Sequence, residues 1–280
     1  MDASAVGRQN GRVSRLPTPR VDQPADGLRR YRATIAYDGA PFSGFATNPG
    51  RVTVAGELND ALSKITGRPI DVACAGRTDA GVHAWGQVIS FDARPGLVPR
   101  RVQHSLNRML GPAIAVRGFE VAAADFDARF SAKSRTYRYR ILNSDEPNPF
   151  LHATSWHLRD LLDVEIMNTA GQDLVGEHDF SSFCRAKLIS FGGTEIQADL
   201  TRAVHSISWS HDDDNIVQLW ITARAFCHQM VRSVAGTLVE IGLGKRPGDS
   251  IAATLAARDR NLAGILAPPR GLTLWDVGYD

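Results

Sequence analysis

The sequence predicts an α+β fold: two tandem ferredoxin-like βαββαβ halves with a central mixed or antiparallel sheet and a cleft between the halves. Three observations predict it. Segments with strand and helix patterning follow one another in the order βαββαβ from Tyr31 to Val121. The same order returns, with longer connections and no obvious identity of sequence, from Ser134 to Tyr279. The 280 residues, 43% of them hydrophobic, suffice for a substantial core in one large domain or two of ordinary size.

The first half reads as a strand at 31–37, a helix at 53–66, two strands at 70–75 and 87–92 around a polar turn, a helix at 99–110 and a strand at 113–121. In the first helix Thr53 is the expected N-cap. Ala55, Leu58, Ala61, Leu62 and Ile65 share a face, and Gly67 sits where a left-handed C-cap belongs. The two flanking strands are rich in residues that favour extended backbone, while Gly76 and Gly81 permit angles that other residues resist. The second half reads as a strand at 134–142, a helix at 163–175, strands at 203–210 and 216–223, a helix at 227–242, an extra helix at 250–258 and a last strand at 272–279. His211 to Asn215 is a polar turn between the middle strands. Val217, Leu219, Ile221 and Ala223 share one face, as in a sheet covered by helices on one side. Residues 1–28 lack apolar periodicity and read as a disordered basic N-terminal tail; 29–126 and 127–280 are the two α/β halves.

Composition excludes several classes. No stretch approaches the roughly 18 apolar residues of a membrane span, and the first thirty residues lack the apolar centre of a signal peptide, so cytoplasmic residence is expected. Cys74, Cys184 and Cys227 are far apart, odd in number and without a CxxC pair, so they read as reduced, mostly buried thiols. A net charge of +2 is too mild to announce a nucleic-acid binder. Arginine is nevertheless clustered, at Arg29, Arg30 and Arg32, at Arg100, Arg101 and Arg108, and at Arg135, Arg138 and Arg140. Such clusters suit phosphate contacts, and solvated faces equally.

The run from Cys74 to Ala84 concentrates Gly76, Arg77, Thr78, Asp79, Gly81 and His83 on one tight turn carried by the sheet, a setting common for catalytic groups. Asp79 is the first candidate for chemistry, as nucleophile, general base or electrostatic stabiliser; an aspartate there can also be a simple turn residue or cap. His83 and the Cys227-His228 pair lack zinc spacing, and no metal is expected. The nucleophile elbow of hydrolases, the phosphate loop and the dinucleotide fingerprint are missing, and no cofactor is called for. Isomerisation and glycosyl-bond cleavage are reactions that one carboxylate can run unaided.

The run Ala75 to His83, with Tyr37-Asp38-Gly39, Ala128-Arg129-Phe130-Ser131-Ala132, Tyr137-Arg138-Tyr139 and Phe226-Cys227-His228-Gln229-Met230-Val231-Arg232, resembles the TruA family of tRNA pseudouridine synthases. The resemblance spans nearly everything from Tyr31 to Tyr279. It implies the pseudouridine synthase fold and a cofactor-free homodimer that converts uridine to pseudouridine at positions 38, 39 and 40 of the tRNA anticodon arm. It further implies that Asp79 is the nucleophile, at C1′ of the ribose or C6 of the base, and that Arg232 pairs with Asp79 and keeps it charged. Tyr137 is then the tyrosine that stacks on the target uracil, and Arg77 the residue that assists flipping and fills the vacated place. The arginine clusters would track the RNA backbone. Two stretches depart from the family pattern: Phe45-Ala46-Thr47-Asn48, and Thr53-Val54-Ala55, which lacks a common glutamine. They bear on RNA contacts of the first loop and leave Asp79, Tyr137 and Arg232 intact. The rival readings are a non-catalytic tRNA-binding or folding protein of the same fold, and an RNA N-glycosylase.

Overall fold

The computed structural model describes residues 23–25, 27–185, 188–191, 194–212 and 215–280. Most of the expected tail and the centre of the His211 to Asn215 turn lie outside the described residues. The first unit comprises β1 (Arg29–Tyr37), α1 (Val54–Thr66), β2 (Ala73–Cys74), β3 (His83–Ala93), α2 (Pro99–Leu110) and β4 (Ile114–Val121). After β5 (Ser134–Asn143) come β6 (Trp156–Leu158), α3 (Val164–Gly171), β7 (Gly176–Asp179), β8 (Leu188–Phe191) and β9 (Thr194–Gln197). Then follow β10 (Thr201–Asp212), β11 (Ile216–Ala223), α4 (Met230–Gly242), α5 (Ser250–Ala257) and β12 (Leu272–Gly278).

The molecule is α+β around one ten-stranded, mostly antiparallel sheet of order β4-β1-β3-β12-β5-β11-β10-β7, with β2 on β3 and β6 on β5. At the centre of the sheet β3 and β12 run parallel, Thr273 opposite His83 and Leu274 opposite Ala84. Gly86 permits this seam, because a Cβ there would lie 2.3 Å from the Trp275 carbonyl oxygen. Along β5 and β11 fully buried residues alternate with partly exposed ones, so one sheet face is covered and the other open. The covered face and the helices share one continuous core, with Ile35, Ile89 and Leu58 at one end and Tyr139, Leu219 and Leu238 at the other.

The helix signals hold where caps define them. Thr53 accepts a hydrogen bond from the Gly56 amide, Gly67 ends α1 with φ of 69°, and Asp163 caps α3 through the Ile166 amide. Several boundaries differ; the helix expected at 163–175, for one, ends at Gly171. The strand expected at 70–75 shrinks to two residues, because α1 side chains take its backbone groups: Ser63 Oγ accepts from the Ile70 amide and Asn59 Oδ1 from that of Val72. The partner strand begins earlier, at His83. The helix expected from Cys227 begins at Met230, because Gln229 takes a left-handed conformation with φ of 67°.

Candidate active site

Residues 75–82 connect β2 to β3 and reach the end of the β3–β12 seam. The loop is clamped along its length. Arg135, almost fully buried, donates from Nε and Nη2 to the Ala75 carbonyl. The buried Gln87 side chain accepts from the Gly76 amide and donates to the Gly76 carbonyl at 2.6 Å. Tyr37 and Thr78 share a hydroxyl hydrogen bond of 2.8 Å, and the Phe45 amide donates to the Thr78 carbonyl. Gly81 has φ of 76°, the conformation expected of it. Gly76 does not need glycine's freedom: an added Cβ would make an ordinary 3.7 Å contact with the Tyr137 hydroxyl.

The Asp79 carboxylate emerges from this clamp partly exposed. Arg232 Nη1 lies 3.4 Å from Oδ2, and His228 Nε2 lies 3.2 Å from Oδ1. Arg232 is nearly buried, and its Nε donates to the Ala267 carbonyl at 2.7 Å. Tyr137 lies beneath the loop, its ring edge-on to Phe226 with centroids 5.1 Å apart. Burial, reinforced by the nearby Asp79 charge, raises the Tyr137 pKa far above the usual phenol range, so the ring stays neutral. Arg77 stands exposed on the loop, and no carboxylate among the described residues pairs with it. Thus Asp79, Arg232 and Tyr137, from loop, helix and strand, converge on one place. Arg77 borders it without touching the carboxylate.

The comparisons with known proteins decide the family. The family model described as tRNA pseudouridine synthase matches residues 33–131 and 170–280. The tRNA pseudouridine synthase A of Brevibacillus brevis is 44% identical over 90% of this chain and 100% of its own length. That of Bacillus subtilis is 41% identical over 90% of this chain and 99% of its own, and that of Caulobacter sp. 40% over the same shares. The chain belongs to the tRNA pseudouridine synthase family. It is an isomerase that converts uridine in tRNA to pseudouridine.

Two expectations about this synthase are corrected by its structure. Cys184 and Cys227 are paired in a disulfide with Cα atoms 5.9 Å apart; only Cys74 is a free, buried thiol. The pairing was invisible because 43 residues separate partners that the 3-10 turn at Ser181–Phe183 and the corner before α4 bring together. Burial pushes the Cys74 thiol up to about 11, so it is unreactive at neutral pH. Second, two arginine clusters are partly engaged elsewhere, while Arg29 is exposed. Arg30 binds Asp92 and the Phe126 carbonyl, and Arg32 pairs with Glu120. Arg138 stacks on Trp275 at 3.9 Å, and strand alternation puts it on the opposite sheet face from Tyr137. Arg135 is the loop clamp described above. Arg100, Arg101 and Arg108 on α2 remain exposed. His83, in the same run as Asp79, is structural: its ring nitrogens lie 3.1 Å from the Gly39 amide, Asp38 and the carbonyls of Ala153 and Arg270. No cluster of three His, Cys, Asp or Glu among the described residues could hold a metal ion.

Sequence reasoning missed Gln87 and Arg135 as loop clamps, and His228 as a partner of Asp79. Only His228 left a usable trace, four residues before Arg232 at the start of a helical stretch.

Proposed function

We propose that this synthase modifies positions 38, 39 and 40 of the tRNA anticodon arm, with Asp79 as nucleophile and no cofactor, as a cytoplasmic homodimer. The observation that carries the reading is the Asp79 carboxylate, partly exposed on a clamped loop, with the Arg232 guanidinium at Oδ2 and the His228 ring 3.2 Å from Oδ1. Arg232 favours the ionised form that a nucleophile requires. The reaction breaks the C1′–N1 bond, turns the retained uracil, joins C5 to C1′, and moves one proton from C5 to N1. Attack by Asp79 at C1′ or at C6 satisfies this balance. Tyr137, buried beneath the loop, is the aromatic ring for the uracil to stack on, and Arg77, exposed on the loop with no carboxylate partner among the described residues, is suited to fill the space of a flipped nucleotide.

Two architectural proposals accompany this one. The strand orders β4-β1-β3-β2 and β12-β5-β11-β10 repeat one pattern, which supports tandem ferredoxin-like halves, residues 29–126 and 127–280, with the site at their junction. The open sheet face carries Trp85, stacked on Trp275, with Trp220 edge-on to Trp275, beside a recess of about 620 Å³ lined by Thr34, Gly86 and Thr136. A ridge and a recess on one patch suit a second copy related by a twofold axis. Replacing Trp85 and Trp275 together by Glu is expected to convert dimer to monomer in sedimentation; a wild-type monomer would refute the assembly.

Tritium release from uracil-C5-labelled tRNA tests the chemistry. Asp79→Asn is expected to abolish release, and equal release from both proteins would sink the assignment. Carbodiimide-dependent primer stops on the same tRNA are expected at positions 38 to 40; stops confined elsewhere would refute the anticodon-arm reading.

A further inference from the structure

The ring assigned to the uracil is closed off. Tyr137 is 7% exposed, with the loop backbone at Gly76 near its hydroxyl and Phe226 packed against its ring. A base that stacks on a phenol needs one face of it free, so a neighbour yields when the nucleotide enters. The loop is clamped at Ala75, Gly76 and Thr78. Phe226 is partly exposed, and its corner, residues 224–229, lies outside α4. Arg232 lies within that helix and is tied through Nε to the Ala267 carbonyl, so the corner can shift without it. The corner is the side that opens.

The corner is nevertheless held by a covalent bond. Cys227, next to Phe226, is disulfide-bonded to Cys184. Cys184 is a fixed post: it is 1% exposed and follows the fully buried Ser182 and Phe183, and Ser182 donates to the Thr254 carbonyl. A backbone hydrogen bond from the Arg185 amide to the His228 carbonyl runs beside the disulfide. Local opening breaks a bond of that kind and leaves a disulfide intact.

We propose that Cys184 and Cys227 are a redox-reactive pair that gates the uracil pocket: the disulfide keeps Phe226 against Tyr137, and reduction to two thiols frees the corner to open. This rests on the reading of Tyr137 as the ring on which the uracil stacks. The reductant is a low-molecular-weight thiol. Its thiolate attacks Sγ of Cys227, the more exposed partner, the bond to Cys184 breaks, and Cys184 leaves as a thiolate that takes up a proton. A second thiol then displaces Cys227 from the mixed disulfide. Two electrons enter the pair, and the two small thiols leave as their disulfide. In a reducing cytoplasm, the compartment proposed above, the dithiol is the working form and oxidation slows the enzyme.

The test equilibrates wild type with reduced or with oxidised glutathione, then counts thiols and measures tritium release from tRNA. Maleimide labelling after denaturation is expected to find Cys74 alone in the oxidised protein and all three cysteines in the reduced one. The oxidised form is expected to release tritium about tenfold more slowly at saturating tRNA, as for a pocket that is open about a tenth of the time. Cys184→Ser and Cys227→Ser are expected to work at the reduced rate in both buffers. Equal or faster release by the oxidised form overturns the inference, as does labelling of all three cysteines in both buffers. Neither result needs a variant, so both stand even if the serine proteins fail to fold. Undiminished release by reduced Tyr137→Ala would instead overturn the stacking reading beneath it.

Discussion

Arg135 sets the energetic scale of single residues here. Its guanidinium is buried, and burial pulls its pKa below the usual guanidinium range. The cost is offset by hydrogen bonds to four carbonyls, those of Ala75, Arg129, Ala132 and Arg224, which tie the start of the Asp79 loop to the connection between units and to the end of β11. Arg135→Met would keep much of the volume and orphan those carbonyls. The expected loss is about 3 kcal/mol of stability, read from urea unfolding, with tRNA binding reduced only through the folded fraction. A selective loss of tRNA affinity at unchanged stability would show that Arg135 meets phosphate after all. The chemical residues were more legible than their supports. Asp79 stood out because special-geometry residues crowd around it, and Arg232 because it lies off the apolar stripe of its helix, whereas Gln87 and Arg135 look like ordinary strand residues until the fold buries them beneath the loop.

Among elements, α4 and the segment before β12 act as one unit. Gly236 lies where a Cβ would be 1.8 Å from the Ile265 carbonyl oxygen, so the segment packs directly on the helix backbone. Thr237 Oγ1 accepts from the Gly264 amide at 2.8 Å, and Glu240 Oε1 from that of Ile265 at 3.1 Å. This contact delivers the Ala267 carbonyl to Arg232, and so orients the guanidinium toward Asp79. Gly236→Ala is therefore expected to cost about 1–3 kcal/mol and also to lower kcat, because the displaced segment no longer holds Arg232. Thermal unfolding and tritium release check the two effects, and wild-type values for both would contradict the close packing. Elements with strong local signals were readable from sequence: α2 has the expected bounds, and α1 starts one residue after its predicted cap. The start of α4 was not, since the left-handed Gln229 overrides an apolar periodicity that continues through Cys227. Nor were β6 and β7, which have only three and four residues each to signal them.

For the whole molecule, the seam between units concentrates buried phenols. Tyr37 lies on β1, Tyr137 and Tyr139 lie on β5, and all three are buried. Burial raises each pKa far above the phenol value of about 10, with Tyr139 also donating to the Pro268 carbonyl. The sign follows from linkage. In the unfolded chain these phenols ionise near pH 10, in the folded protein only well above it, so their contribution is intact below about pH 10 and is lost as pH rises toward the folded values. Each removes about 1.4 kcal/mol per pH unit in that window, three together about 4, and Tyr279, raised by burial in the same way, adds to the slope. Against a total stability of about 5–15 kcal/mol, that is enough to unfold the protein cooperatively within a few pH units, since it has one continuous core. Circular dichroism and phenolate absorbance followed together through an alkaline titration are expected to change at one midpoint. Tyr139→Phe, which removes one of these ionisations, is expected to make stability fall less steeply with pH. Phenolate absorbance rising while the native dichroism persists would mean that these rings reach solvent without unfolding, and that the seam is not the closed junction its geometry describes.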